Sequence, residues 1–262
     1  MDIALKTMKA DAAAHAPTPA ELETRRDLAA CYRLVAHHGW DDLLATHLSA
    51  KIPGEEAFLI NPFGLMFDEI TASSLVKVDL DGNILQPTAY PVNRAGFVIH
   101  SAVHAVRADA GCVMHLHTRD GVAVSAVEGG LLPLNQTAMI VRDTLAFHAY
   151  EGVAVDEAER ARLAADLGAC KLMLLYNHGT LSVGASVAEA FLQIYMLEWA
   201  CAAQVRTLAM GLPLHAASDE VIAKTGREFG LDNRAMVEGY ARNLLWPALL
   251  RKLDRVSPGY AD

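Results

Sequence analysis

The heptapeptide Gly111-Cys-Val-Met-His-Leu-His117 reads as a buried strand that ends in two histidines. Residues i and i+2 of a strand point to the same face, so His115 and His117 project together while Leu116 faces the opposite layer. A second apolar run, Lys171 to Tyr176, carries Asn177-His178-Gly179 just past its end. If both strands end on the same side of one sheet, three imidazoles converge and leave a position open, as in a catalytic rather than a structural divalent site. Three nitrogen donors without a thiolate suit Zn, Mn, Fe or Co.

Outward from these strands the pattern alternates. Thr18-Pro19, then Glu21 and Glu23, with Leu22, Leu28, Tyr32 and Val35 at helical spacing, predict a capped helix that ends at Gly39. Short β-like runs follow at 48–52, 58–60 and 75–78, with Asp81-Gly82 as a hairpin signal. The residues predict helices over 95–106, 119–126 and 156–167, a strand with a turn over 139–147, and a long helix from Ser186 to Gly211. Two more helices, over 218–229 and 232–253, follow. Without a repeat or low-complexity linker this is one α/β domain over residues 19–262, its last helices forming a C-terminal extension. Residues 1–18, Ala-rich but interrupted by Asp2, Lys6, Lys9 and Asp11, are expected to form a disordered leader rather than a signal peptide.

The 262 residues carry 22 Lys+Arg against 31 Asp+Glu, a net charge of −9, and 53% are apolar, enough for a large core. No block of Lys/Arg offers phosphates a surface, which argues against nucleic acid or an anionic membrane as partner. The longest apolar run falls far short of the ~20 residues that span a bilayer. Four scattered cysteines without a CxxC pair fit reduced core thiols, and the expected compartment is the cytoplasm.

Eleven histidines are the unusual part of the composition. His100 and His104, spaced i, i+4, form a competing pair, read as polar positions on a half-buried helix packing near the site. His37-His38 before Gly39 suits the negative end of a helix dipole. His15, His148 and His215 show no partner in the sequence.

Together, His115-Leu-His-Thr118, Asn177-His-Gly179 and Ser186-Val-Ala-Glu-Ala-Phe191 resemble the class II aldolase/adducin family. The resemblance runs over about residues 20–215 and takes in Thr46-His-Leu-Ser49, Phe58-Leu-Ile-Asn-Pro62, Val78-Asp-Leu-Asp-Gly82 and Ala95-Gly-Phe-Val-Ile-His100. It implies a three-layer α/β/α fold with a central, mainly antiparallel sheet, a divalent metal on His115, His117 and His178, and a cyclic homotetramer with active sites at subunit interfaces. It also implies substrate-binding positions at His47, Asn61 and Gly64.

Where sugar-phosphate aldolases of that family carry the glutamate of a Ser-Ser-Glu segment, this sequence has Gly96, preceded by Arg94 and Ala95. The Gly-Asn segment becomes Thr46-His47, and the Thr/Ser-Gly segment becomes Phe63-Gly64. A phosphorylated sugar therefore loses weight as substrate. Arg94 offers a bidentate fork for a carboxylate, and its position at a helix start is equally that of a solvated cation. His100 is the nearest acid/base candidate. Gln136 and Tyr240 are candidate substrate contacts, Tyr240 with Trp246 as a lid.

A metal-stabilised enolate is common to retro-aldol cleavage, which needs a base, and decarboxylation, which does not need one to break the bond. The expected activity is metal-dependent C–C cleavage, of aldolase or decarboxylase type, on a small oxygenated or aromatic acid, zinc being the first choice of ion. The alternatives are an Fe(II)-dependent oxygenase/decarboxylase on the same ligands and a non-catalytic adducin-like interaction module.

Overall fold

Helix α1 (Pro19–His37) starts where Thr18 Oγ1 accepts from the Glu21 amide at 3.1 Å and Pro19 occupies the first turn, where its missing N–H is no loss. It ends before Gly39, which adopts φ +66°. The computed structural model describes residues 4–5, 16–152, 158–231 and 233–262. Most of the expected leader lies outside the described residues; within it, β1 (Ala4–Leu5) pairs antiparallel with β5 (Val92–Asn93) as a separate ribbon.

Seven strands form the central sheet: β2 (His47–Lys51), β3 (Ala57–Ile60), β4 (Val76–Asp79), β6 (Cys112–Leu116), β7 (Leu145–His148), β8 (Leu172–Leu175) and β9 (Gly179–Gly184). Their order is β4-β3-β2-β6-β9-β8-β7, and every neighbouring pair is antiparallel except β7 with β8. Helix α1 and α6 (Val187–Ala209) cover one face, with α3 (Arg119–Ser125) and α4 (Gln136–Val141) against α6; α2 (Arg94–Val106) and α5 (Glu159–Leu167) cover the other. The expected three-layer α/β/α architecture is thus present.

Strand alternation divides the core. Leu48, Ala50, Cys112, Met114 and Leu116 pack toward α1 and α6, whereas Val113, Leu181 and Val183 join Ile99, Ala102, Val103 and Leu163 under α2 and α5. Each fully buried aliphatic or aromatic side chain contributes roughly 1.5–3 kcal/mol. The same alternation sends His47, Ser49 and His115 to the α2 side, so that a histidine-rich polar layer replaces hydrocarbon there.

Two segments differ from expectation. Residues 139–141 belong to helix α4 rather than to the expected strand, whose second half is β7, because Asn135 Oδ1 caps the Ala138 amide and the apolar run is short enough to suit either state. Strand β9 carries Thr180 and Ser182 between Leu181 and Val183, and these polar positions bond to α6 instead of facing water. The C-terminal extension comprises α7 (Asp219–Phe229), α8 (Arg234–Tyr240), a π turn at Ala241–Leu245 and α9 (Trp246–Val256), with Pro247 at the start of α9 unable to donate an amide. All four cysteines are free thiols, and Cys31, Cys112 and Cys201 are buried. Among the described residues no helix is long and apolar enough to cross a membrane.

Candidate metal centre

Strands β6 and β8 point the same way with antiparallel β9 between them, so their C-terminal ends lie together. A three-residue turn joins β8 to β9. Asn177 takes φ +57°, which asparagine tolerates, and the His178 amide donates to the Leu175 carbonyl at 3.1 Å. The turn delivers His178 to the pair on β6: His115 Nε2 lies 3.0 Å from His117 Nε2 and 3.2 Å from His178 Nε2.

Two of these imidazoles have their tautomer set by a partner on the far side of the ring. His115 Nδ1 faces the Thr180 carbonyl at 3.0 Å, which can only accept, so Nδ1 carries the hydrogen and Nε2 is bare. His117 Nδ1 faces the Asp42 carboxylate at 3.1 Å and is fixed the same way. Burial, reinforced by His178 and His117, holds His115 well below the usual imidazole range, and burial with His117 and His148 brings His178 down to about 4. With both rings in these neutral tautomers the lone pairs of His115 and His117 face each other, an unfavourable arrangement that a cation between them relieves. Nitrogens bound at ~2.1 Å to a tetrahedral ion stand about 3.4 Å apart, close to what is seen. The residues fit a divalent metal. Behind them Glu198 on α6 accepts from the hydroxyls of Thr118 and Thr180, tying the helix to both strand ends; burial raises its carboxyl to about 7.

The bare nitrogens open into a cavity of about 640 Å³ whose walls include Leu43, Leu44, Phe63, Ile99 and Tyr150. Leu43 stands at its rim, 70% exposed and with φ +48°. Among the described residues no lysine or arginine lines the cavity.

Of the expected site residues, His47 lines the cavity beside His115, their ring centroids 5.1 Å apart. His100 does not; it lies fully buried behind His47, whose Nδ1 is 2.8 Å from His100 Nε2. As a group that meets substrate directly, His100 is corrected by this position. Nor are His100 and His104 half-buried: both are enclosed, and the Ser49 hydroxyl bridges His100 Nδ1 and His104 Nε2. Arg94 opens α2 between two cavity residues, Asn93 and Ala95, without lining the cavity itself, and its buried Nε has no partner. Asn61 is committed to structure, its side-chain carbonyl accepting from the Tyr32 hydroxyl at 2.9 Å. Gly64, with φ +131°, follows Phe63 and is exposed. Gln136 and Tyr240 are exposed on α4 and α8, and neither lines this chain's cavity. Trp246, expected to close over a site, instead donates to Asp27 at 2.9 Å and packs in the core.

The sequence reading missed Asp42, an aspartate far from both histidine strands in the chain. It also missed the link from β2 to α2, although His47/Ser49 at i, i+2 and His100/His104 at i, i+4 each mark a single face. His148 has a partner after all: its Nδ1 donates to Asp166 at 2.7 Å, and Glu159 Oε1 stands 3.6 Å from Nε2.

The buried imidazoles predict an acid limb in stability. Burial lowers His104 from about 6.5 to about 3, so between these values the unfolded chain binds a proton that the folded chain refuses. Its contribution is complete above pH ~6.5 and falls by roughly 1.4 kcal/mol per pH unit as the pH drops toward 3. Urea midpoints of chelator-treated protein between pH 7 and pH 4.5 check this, and a His104→Asn variant shows a shallower decline.

Comparison with known proteins agrees with the site. The profile of the family described as "Class II Aldolase and Adducin N-terminal domain" matches residues 26–205. The "Putative aldolase class 2 protein" of Caulobacter vibrioides is 58% identical over 249 residues, 93% of each chain. Alpha-adducin of Mus musculus is 50% identical over 189 residues, 71% of this chain and 26% of that protein. Among solved structures, L-fuculose 1-phosphate aldolase from Glaciozyma antarctica PI12 superposes with a TM-score of 0.77 at 28% identity, covering 93% of this chain and 96% of that one. The convergent histidines, the sheet that brings them together and these matches show that the chain belongs to the class II aldolase/adducin family.

Proposed function

We propose that this protein is a metal-dependent carbon–carbon lyase acting on a small, unphosphorylated hydroxy or keto acid, aromatic acids included. The family supports the broader statement of a metal-dependent, aldolase-type lyase. The observation that carries the finer reading is a floor of three Nε2 atoms, that of His115 and two within 3.2 Å of it, beneath walls that are largely apolar and, among the described residues, lack a lysine or arginine.

His115, His117 and His178 would hold the ion, zinc before Mn, Fe or Co, which when bound supplies a Lewis acid for a coordinated oxygen. The Thr180 carbonyl and Asp42 keep two of these imidazoles in the donor tautomer. Leu43, Leu44, Phe63 and Ile99 exclude water and receive the apolar end of a ligand. Among the described residues no lysine or arginine on the wall offers a phosphate an anchor. Glycine at position 96 leaves no carboxylate on that turn of α2, and decarboxylation asks least of such a site, because carbon dioxide departs without a base to break the bond. Exposed Gln136 and Tyr240 are free to reach a neighbouring copy's cavity, which supports a homotetramer with sites at its interfaces. Buried free thiols support a reducing compartment, the cytoplasm.

The test is metal-loaded protein, its tetrameric mass checked by light scattering, incubated with panels of hydroxy and phenolic acids under aldehyde and carbon dioxide detection. Product is expected with metal and lost on chelation or in His178→Ala. Stoichiometric metal without cleavage of any acid overturns the lyase reading. The 50% identity to alpha-adducin favours, in that event, a binding module. Oxygen consumption with Fe(II) assigns the same ligands to an oxygenase.

A further inference from the structure

Gly96 and His47 compete for one volume. A Cβ at residue 96 would stand 2.7 Å from His47 Cδ2 and 2.9 Å from Cγ, so the imidazole occupies the space that a side chain on that turn of α2 would enter. His47 thereby gains a place on the cavity wall beside the metal ligands.

The ring is also fixed in one tautomer from behind. The Ala110 carbonyl can only accept, so His104 Nδ1, 3.0 Å away, donates to it and Nε2 is bare. The Ser49 hydroxyl then donates to His104 Nε2 at 2.7 Å, which leaves its oxygen to accept from His100 Nδ1. His100 Nε2, left bare, accepts from His47 Nδ1 at 2.8 Å. In this arrangement every donor meets an acceptor, and the chain ends with a bare His47 Nε2. Of the acceptors around it, the three imidazoles face one another, Asp42 Oδ2 faces His117 Nδ1 and Asn93 Oδ1 accepts from the Ala95 amide; the Tyr150 hydroxyl lies on the cavity wall with them.

We infer that His47 is the specificity-determining acceptor of this centre, its Nε2 taking the hydrogen of a ligand hydroxyl, and that Ser49, His100 and His104 are positioning residues that keep it bare. This rests on the metal-centre reading above and narrows the ligand class to acids that carry a hydroxyl beside the coordinating group. Such a site loses affinity for the corresponding ether, because the acceptor is then left unpaired.

The test is histidine-selective ¹⁵N NMR on the full, zinc-loaded chain, with lactate and its O-methyl ether as probes. In the wild type, His47, His100 and His104 are expected each to carry the hydrogen on Nδ1. Lactate should shift the His47 Nε2 signal, and the ether should not. Ser49→Ala should mix the tautomers of His47 and His100 and weaken lactate about tenfold, the scale of one hydrogen bond, while zinc content is kept. Gly96→Ala, which displaces the ring without altering β2, should likewise remove the lactate response. A hydrogen on His47 Nε2 in the wild type, an unchanged His47 signal in Ser49→Ala, or lactate binding that leaves Nε2 unmoved would each overturn the inference. None of these readouts requires turnover, so failure of the lyase assay leaves them separately decisive.

Discussion

His115→Ala is expected to yield a folded protein that no longer retains one zinc per chain after dialysis. His115 is the hub of the centre, since its Nε2 is within 3.2 Å of both other candidate nitrogens, and among the described residues no fourth histidine joins the group. Two consequences of opposite sign follow. Without metal, the variant loses a clash of lone pairs, so its stability should stay near that of the wild type despite a small cavity. With metal, the wild type gains stability as RT ln(1 + [M]/Kd), about 2.7 kcal/mol at a hundredfold excess over Kd and ~4.1 kcal/mol at a thousandfold, and the variant gains almost none. Melting curves at graded free zinc, read beside metal analysis, check both. A variant that still melts higher with zinc would place the ion elsewhere.

Gly179→Ala should cost more than its size suggests. A Cβ there meets the Leu116 carbonyl oxygen at 2.3 Å and His117 Cδ2 at 3.1 Å. The first contact is with backbone, on the strand that carries His115, and neither β6 nor β9 can move aside without breaking the ladder between them. Overpacking of this kind costs typically 1–3 kcal/mol, and more where backbone opposes backbone. Because the displaced segments also hold His117 and His178, metal affinity should fall with stability. Gly184→Ala supplies the control: its Cβ would meet the Ala190 amide nitrogen at 2.3 Å, a clash of equal severity at the far end of β9. That variant should lose stability while keeping its zinc. Equal metal loss in both would show that the centre responds to global stability rather than to the β6–β9 junction.

The three convergent histidines were legible because each belongs to a local pattern. His115 and His117 follow strand alternation, and His178 ends an apolar run. Strand β9 was not legible from its own residues: Thr180 and Ser182 look like a loop until α6 supplies Glu198 and the Ala190 carbonyl as their partners. Asp42 and the Ser49 bridge were hidden for the same reason, since their roles arise from residues 75 and 55 positions away. The depth of His100 was not legible: helical periodicity gives a face, but the shielding of that face by His47 comes from strand β2, 53 residues away in the chain. Residues 139–141 opened a short apolar run that reads as strand, but the cap at Asn135 places them in a helix.

The ligand set has a consequence in oxidative chemistry. Thiolate zinc sites release their ion when peroxide or disulfides oxidise the sulfur. Here all three donors are imidazole nitrogens, and burial pushes the thiols of Cys31, Cys112 and Cys201 above their usual range, away from the reactive thiolate. Metal occupancy of this centre, on the proposed reading, should accordingly follow metal supply and acidity and pass unchanged through an oxidant burst that would empty a cysteine-built site.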